Sequence, residues 1–191
     1  MYWKDEGYLL SKHNFDENSI IIETFTLDHG KYTGIVYGGS SKKQKRNFQV
    51  GNKILLDWKS KNENRSGYFN VELIKPISPF FFDDKKRSVC ILSATSILKI
   101  LLPERQTNRK IYNFFENMLI DLKFDNWIKI YINWELSLIK ELGFEANLKP
   151  NYNDDIKTAL TFNRNLLMEN FIIPNRLKFP LFRNILENYF L

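Results

Sequence analysis

Five strand-like runs crowd into about the first 75 of 191 residues, with no helical pattern between them, and Pro76 and Pro79 close the series. Tyr8–Ser11 is brief. Ile20–Thr26 is rich in β-branched residues, Asp28-His29-Gly30 supplies turn chemistry, and Lys31–Tyr37 follows, so this pair reads as a hairpin. In Lys53–Trp58 the residues Ile54, Leu56 and Trp58 alternate with Lys53, Leu55 and Asp57, and Gly67–Leu73 carries Tyr68, Phe69 and Val71. Closely spaced short strands without intervening helices close more readily into a small barrel than into an α/β sheet. Gly34 and Gly67 fall where such a barrel must bend. The natural candidate is a five-stranded oligonucleotide-binding (OB) barrel.

After the prolines the period changes to that of helices, which places a barrel domain at residues 1–76 and an all-α domain at 77–191, an α+β chain in two parts. Asp83-Asp84 caps a helix whose apolar run Val89–Leu102 stops at Pro103, and a second begins at Thr107. The third, Trp127–Leu142, aligns Trp127, Tyr131, Trp134, Leu138 and Leu142 on one stripe and ends at Gly143. Asp154 caps a fourth through about Glu169. Pro180 opens the last, with Leu181, Phe182, Ile185, Leu186 and Tyr189 as its apolar face. Trp134 and Phe80-Phe81-Phe82 read as packing residues.

Charge then narrows the function. The chain carries a net +6, and between Gly38 and Arg65 eight Lys or Arg face only Asp57 and Glu63, a local excess equal to that of the whole. Lys42, Lys43, Lys45 and Arg46 fill four of five consecutive positions in a glycine-flanked loop. Unpaired charge is too costly to bury, so this loop faces water or a polyanion. It is either a solvated flexible loop or a clamp on phosphate backbone. Single-stranded nucleic acid is gripped by cations together with aromatic faces, and Tyr37 and Phe48 flank the loop while Lys53 extends it. The other barrel aromatics read as core.

Catalysis finds no foothold. Cys90 is the only cysteine and sits in an apolar helical run, so neither a disulfide nor a cysteine zinc site is available. His13 and His29 lie in a polar loop and a turn, and no metal-ligand set, phosphate loop or nucleophile elbow is present. No catalytic residue, metal or cofactor is expected. The opening Met1-Tyr-Trp-Lys-Asp-Glu has no apolar leader and no run reaches membrane-spanning length, which leads us to expect a soluble cytoplasmic protein.

The motifs in order resemble the RecO family of bacterial recombination mediators. Trp3–Ser11 followed by Asn14–Ser19 resembles the family's start, and Thr26-Leu27-Asp28-His29-Gly30-Lys31 its turn. Gly38-Gly39-Ser40-Ser41-Lys42 is similar to its glycine-x-arginine-serine-lysine, departing at Ser40, and Phe48–Asn52 to its leucine-glutamine-proline-glycine-asparagine. Leu102-Pro103-Glu104-Arg105 and Trp134–Gly143 resemble its helical signatures. The resemblance implies an OB barrel followed by a helical domain, and a non-enzymatic role in recombinational repair. Such a protein binds single- and double-stranded DNA, anneals strands coated by single-strand binding protein, and with RecR helps load RecA at the bacterial nucleoid. Two departures stand out. The zinc module, or its remnant, that follows the glycine matching Gly143 looks deleted between Leu148 and Asp154, and Ile132-Asn133 stands where an arginine is usual. That helical region helps hold the acidic, phenylalanine-ended tail of single-strand binding protein, and Arg105, Arg109, Lys129 and Lys140 are the candidates to replace the arginine. The residues themselves leave two rivals open, an RNA-binding OB module and an adaptor whose basic loop docks acidic protein tails.

Overall fold

In the computed structural model, the residues described are 1–41, 44, 47–61, 67–144 and 155–190. They pack as two compact units, one formed by Met1–Asp84 with Leu98–Arg109, the other by Lys85–Ile97 with the chain from Lys110 onward.

The first unit is a closed barrel, as the strand spacing leads one to expect. Its strands are β1 (Tyr2–Asn14), β2 (Ser19–Thr26), β3 (Gly30–Tyr37), β4 (Lys53–Lys59) and β5 (Gly67–Lys75), in the order β1-β2-β3-β5-β4. β1 is far longer than Tyr8–Ser11 because it serves two partners. Tyr2–Tyr8 pairs with β4 and Gly7–Asn14 with β2, with a register shift between Leu9 and Ser11. Leu9, Ile22, Ile54, Leu56, Phe48 and Phe69 fill the interior.

Closure falls to a short parallel contact in which β3 meets β5 only at Gly34↔Gly67 and Ile35↔Tyr68. Both glycines are there for space. A Cβ on Gly67 would lie 2.2 Å from the Trp58 indole nitrogen, and one on Gly34 2.5 Å from the Phe69 ring. At the β2–β3 turn Gly30 takes φ +77° and lies against the backbone of Gln106, where a Cβ would come within 2.2 Å.

That contact belongs to a segment sewn onto the hairpin. Glu104 forms an isolated parallel bridge with Lys31, the Arg105 amide donates to the Lys31 carbonyl at 2.8 Å, and Arg109 grips Asp28 through Nε and Nη2 at 3.0 and 2.6 Å. Lys31 is itself buried and donates to the Lys99 carbonyl at 2.7 Å. Burial pulls its ammonium below the ordinary lysine range, against the opposing pull of Glu104 and Glu23.

The second unit is helical. α1 (Lys85–Leu101) gives it all but its last turn, and α2 (Arg109–Asp121), α3 (Trp127–Glu141), α4 (Ile156–Leu167) and α5 (Leu181–Asn188) follow, with one π turn, Met168–Ile172, extending α4. α1 starts directly after the Asp83-Asp84 pair expected to open it, and α2 starts two residues after Thr107. Gly143 ends α3 at φ +96°. The described cap of α4 is Asp155, whose carboxylate accepts the Lys157 amide at 2.8 Å; Asp154 lies outside the described residues. Phe80 and Phe82, expected to pack, are 74% and 60% exposed around a short 3-10 turn, Ser78–Phe81. Among the described residues no helix is long and apolar enough to cross a membrane.

α5 departs most from expectation. Leu181 and Tyr189 of its apolar face are exposed, while Arg183, Leu186 and Glu187 are buried. Arg183 is fully enclosed, its Nε donating to Glu135 Oε1 at 2.6 Å and its Nη2 to Glu135 Oε2 and the Leu160 carbonyl. Tyr131 donates its hydroxyl to Glu135 at 2.7 Å, and Asn163 donates to the same carboxylate and to the Ile132 carbonyl. Glu187 accepts from both Arg183 and Arg164. Burial works against the Arg183 charge, but Glu135, Tyr131 and Glu187 outweigh it and hold the guanidinium above its ordinary value.

A buried ion stripped of its partner costs far more than a surface one. Arg183→Met, which leaves Glu135 enclosed and unpaired, is therefore expected to cost about 3–5 kcal/mol in urea unfolding. The double variant Glu135→Gln with Arg183→Met is expected to recover much of that loss.

Candidate nucleic-acid interface

The basic stretch leaves β3 at Gly38 (φ +72°) and returns to β4 through Gly51 (φ +90°). Its shoulders are fastened. Gly39 is pressed against Ile20, Ser40 donates its hydroxyl to the Glu17 carbonyl at 2.8 Å, and the Gly51 amide donates to the Leu9 carbonyl at 2.8 Å. Asn52, fully buried, closes the far side by accepting the amides of Ile77 and Ser78 at 2.8 and 3.2 Å. The four cations themselves, Lys42, Lys43, Lys45 and Arg46, lie outside the described residues.

The flanking residues divide. Tyr37 is 66% exposed and lies beside Tyr68, ring centroids 6.0 Å apart and tilted by 54°. Phe48 is 1% exposed and belongs to the barrel core, so the expectation that it stacks on a base is corrected. Its ring anchors the returning loop, and its carbonyl accepts from Lys12. Lys53 is likewise committed, its ammonium 2.8 Å from Glu6 with its side chain mostly buried.

Tyr68 is the surface aromatic that the strand reading missed. It alternates with Phe69, so one of the two had to face outward. His29 is a second omission, since the turn engages it on two sides. Its ring stacks on Trp3 at 4.2 Å, and its Nδ1 lies 2.9 Å from Asp5, whose carboxylate also accepts the amides of Glu6 and Asp28. The pair pins the turn to the barrel.

The four cations foreseen for an acidic tail divide between the two units. Arg105 and Arg109 belong to the barrel unit, Arg105 over the Tyr32 ring and Arg109 against Asp28. Lys129 and Lys140 stand exposed on α3 in the helical unit, three helical turns apart on the side that Asn133 shares. Beside them a groove of about 160 Å³ runs between α2 and α3, lined by Phe114, Met118, Ile130 and Trp134 with Asn117, Asp121, Asn133 and Ser137. Trp134 is 4% exposed, and its indole N–H has no hydrogen-bond partner among the described residues. Also among the described residues, no group of three or more His, Cys, Asp or Glu is placed to hold a metal. The span where a zinc module would sit lies outside them.

Two family models match in tandem, Recombination protein O N terminal over residues 1–77 and Recombination protein O C terminal over 83–153. A DNA repair protein RecO of Wolbachia sp. subsp. Drosophila simulans (strain wRi) is 32% identical over 164 residues, covering 85% of this chain and 68% of that protein. The chain belongs to the RecO family. The RecO of Roseobacter denitrificans is 33% identical over 151 residues, 78% of this chain and 62% of its own length. That of Ehrlichia chaffeensis is 32% identical over 164 residues, 85% and 66% respectively. The chain thus spans about two thirds of the length of these RecO proteins.

Phe48 and Tyr37 are separable by stability. Phe48→Ala empties a core position and is expected to cost about 3–5 kcal/mol in chemical denaturation. Tyr37→Ala, at an exposed site, is expected to stay within about 0.5 kcal/mol of the parent.

Proposed function

We propose that this RecO-family chain acts in recombinational repair by binding single- and double-stranded DNA, annealing strands coated by single-strand binding protein, and aiding RecA loading together with RecR. It works by binding rather than catalysis. The observation that carries the reading is the set of four cations within five positions, on a loop whose shoulders are fastened to the barrel beside an exposed tyrosine. Cations on phosphates carry no sequence information, so the grip is sequence-tolerant and salt-dependent, and neutralised strands approach each other more easily. Tyr37 adds a stacking face open to any base.

For the acidic, phenylalanine-ended tail of single-strand binding protein we propose the α2–α3 groove. Its apolar walls suit the terminal ring, and Lys129 and Lys140 supply charge along α3.

The test is fluorescence anisotropy of a labelled single strand across a salt series. The expected slope of log affinity against log salt is about −0.7 per neutralised phosphate, for about three to five phosphates. Reversing Lys42, Lys43, Lys45 and Arg46 to glutamate is expected to cut affinity and flatten that slope while leaving the fold intact. Unchanged low-salt affinity would sink the assignment. A tail peptide titrated against Lys129→Glu/Lys140→Glu tests the groove separately, the expected result being weaker peptide binding with single-strand affinity unchanged.

A further inference from the structure

Beyond the Gly34↔Gly67 contact β3 and β5 part, and a cavity of about 210 Å³ lies along the seam. Its apolar floor is Phe48 and Phe69, and Tyr37 stands in its wall. Its polar lining is unexpected beside a basic loop, for it includes two carboxylates, Asp57 and Glu72. The β4–β5 register pairs Leu55 with Glu72 and Asp57 with Asn70, so the two acids are diagonal neighbours on one face of that pair. Asp57 is approached by Tyr2 and Lys4, at 3.3 and 3.9 Å, both on Oδ1.

Carboxylates repel phosphate, so this cavity cannot be part of the backbone grip. Gln44 and Asn70 complete the polar lining, but the two carboxylates leave acceptors in excess, and with an aromatic wall that suits a planar ring carrying N–H donors. We propose that the seam cavity takes one unstacked nucleobase bearing an exocyclic amine, stacked on Tyr37 with its amine donating to Asp57 or Glu72. Carboxylates accept from the cytosine N4 amine and find no such donor at position 4 of thymine. The Tyr37 and Tyr68 rings, tilted and 6.0 Å apart, cannot sandwich a base between them, so the stacking face is the side of Tyr37 turned to the cavity. The inference rests on the DNA-binding reading and gives an otherwise sequence-tolerant grip a preference for cytosine over thymine.

Anisotropy titrations of equal-length oligo-dC and oligo-dT at one fixed salt concentration, with the full chain, test it. The expected result is oligo-dC tighter by about tenfold. Asp57→Ala with Glu72→Ala is expected to bring the ratio near one while oligo-dT binding rises, because two repulsive charges are gone. Tyr37→Leu is expected to weaken oligo-dC and leave an abasic strand of the same length unchanged. Equal affinity for dC and dT in the parent, or a ratio that survives the double substitution, overturns the base site alone. Binding of neither strand at low salt overturns the DNA reading with it.

Discussion

The barrel depends on a contact two residues long. β3 and β5 meet in parallel at Gly34 and Gly67, where the missing side chains make room for the rings of Trp58 and Phe69. Larger residues there would displace two of the barrel's aromatics, and the sheet would lose the junction that removes its edges. The brevity of the junction has its own effect. Because the strands part just beyond it, the barrel keeps a cleft at the end where the basic loop leaves and returns.

Across the barrel unit the charges sort by whether the fold already uses them. Lys53 is held by Glu6, Arg109 by Asp28, and Lys99 by Glu23 at 2.8 Å. These cations stiffen the fold, and counting them toward a polyanion would overstate its grip. The loop differs because it carries four cations and no acid. The distinction between structural and available charge is invisible in net charge, yet it decides which lysines are worth reversing.

The barrel was largely legible in the sequence because strands bury alternate residues, and Ile54, Leu56 and Trp58 announce both the element and its inner face. Phe48 misled because the stretch around it has no period: a ring beside a basic loop reads the same whether it anchors the loop or greets a ligand. α5 misled for a related reason. Amphipathic reading sends charges outward, whereas Arg183 turns inward to meet Glu135, a partner 48 positions away that no local pattern reveals, and Glu187 turns in to meet Arg183. β1 was underestimated because half of it pairs with a strand more than 40 residues downstream, whose register only the closed sheet supplies.

The stitching of Leu98–Arg109 to the β2–β3 hairpin bears on inheritance. The barrel unit is discontinuous in sequence: its hairpin leans on backbone that the chain supplies only after most of a helix belonging to the other unit has been made. An OB barrel is often pictured as an interchangeable cassette. Here an exchange of the first 84 residues between relatives would separate Lys31 and Gly30 from the segment shaped to receive them. The hairpin and that later segment are therefore expected to have diverged in step, with variation at the hairpin matched by variation near Glu104 and Gln106.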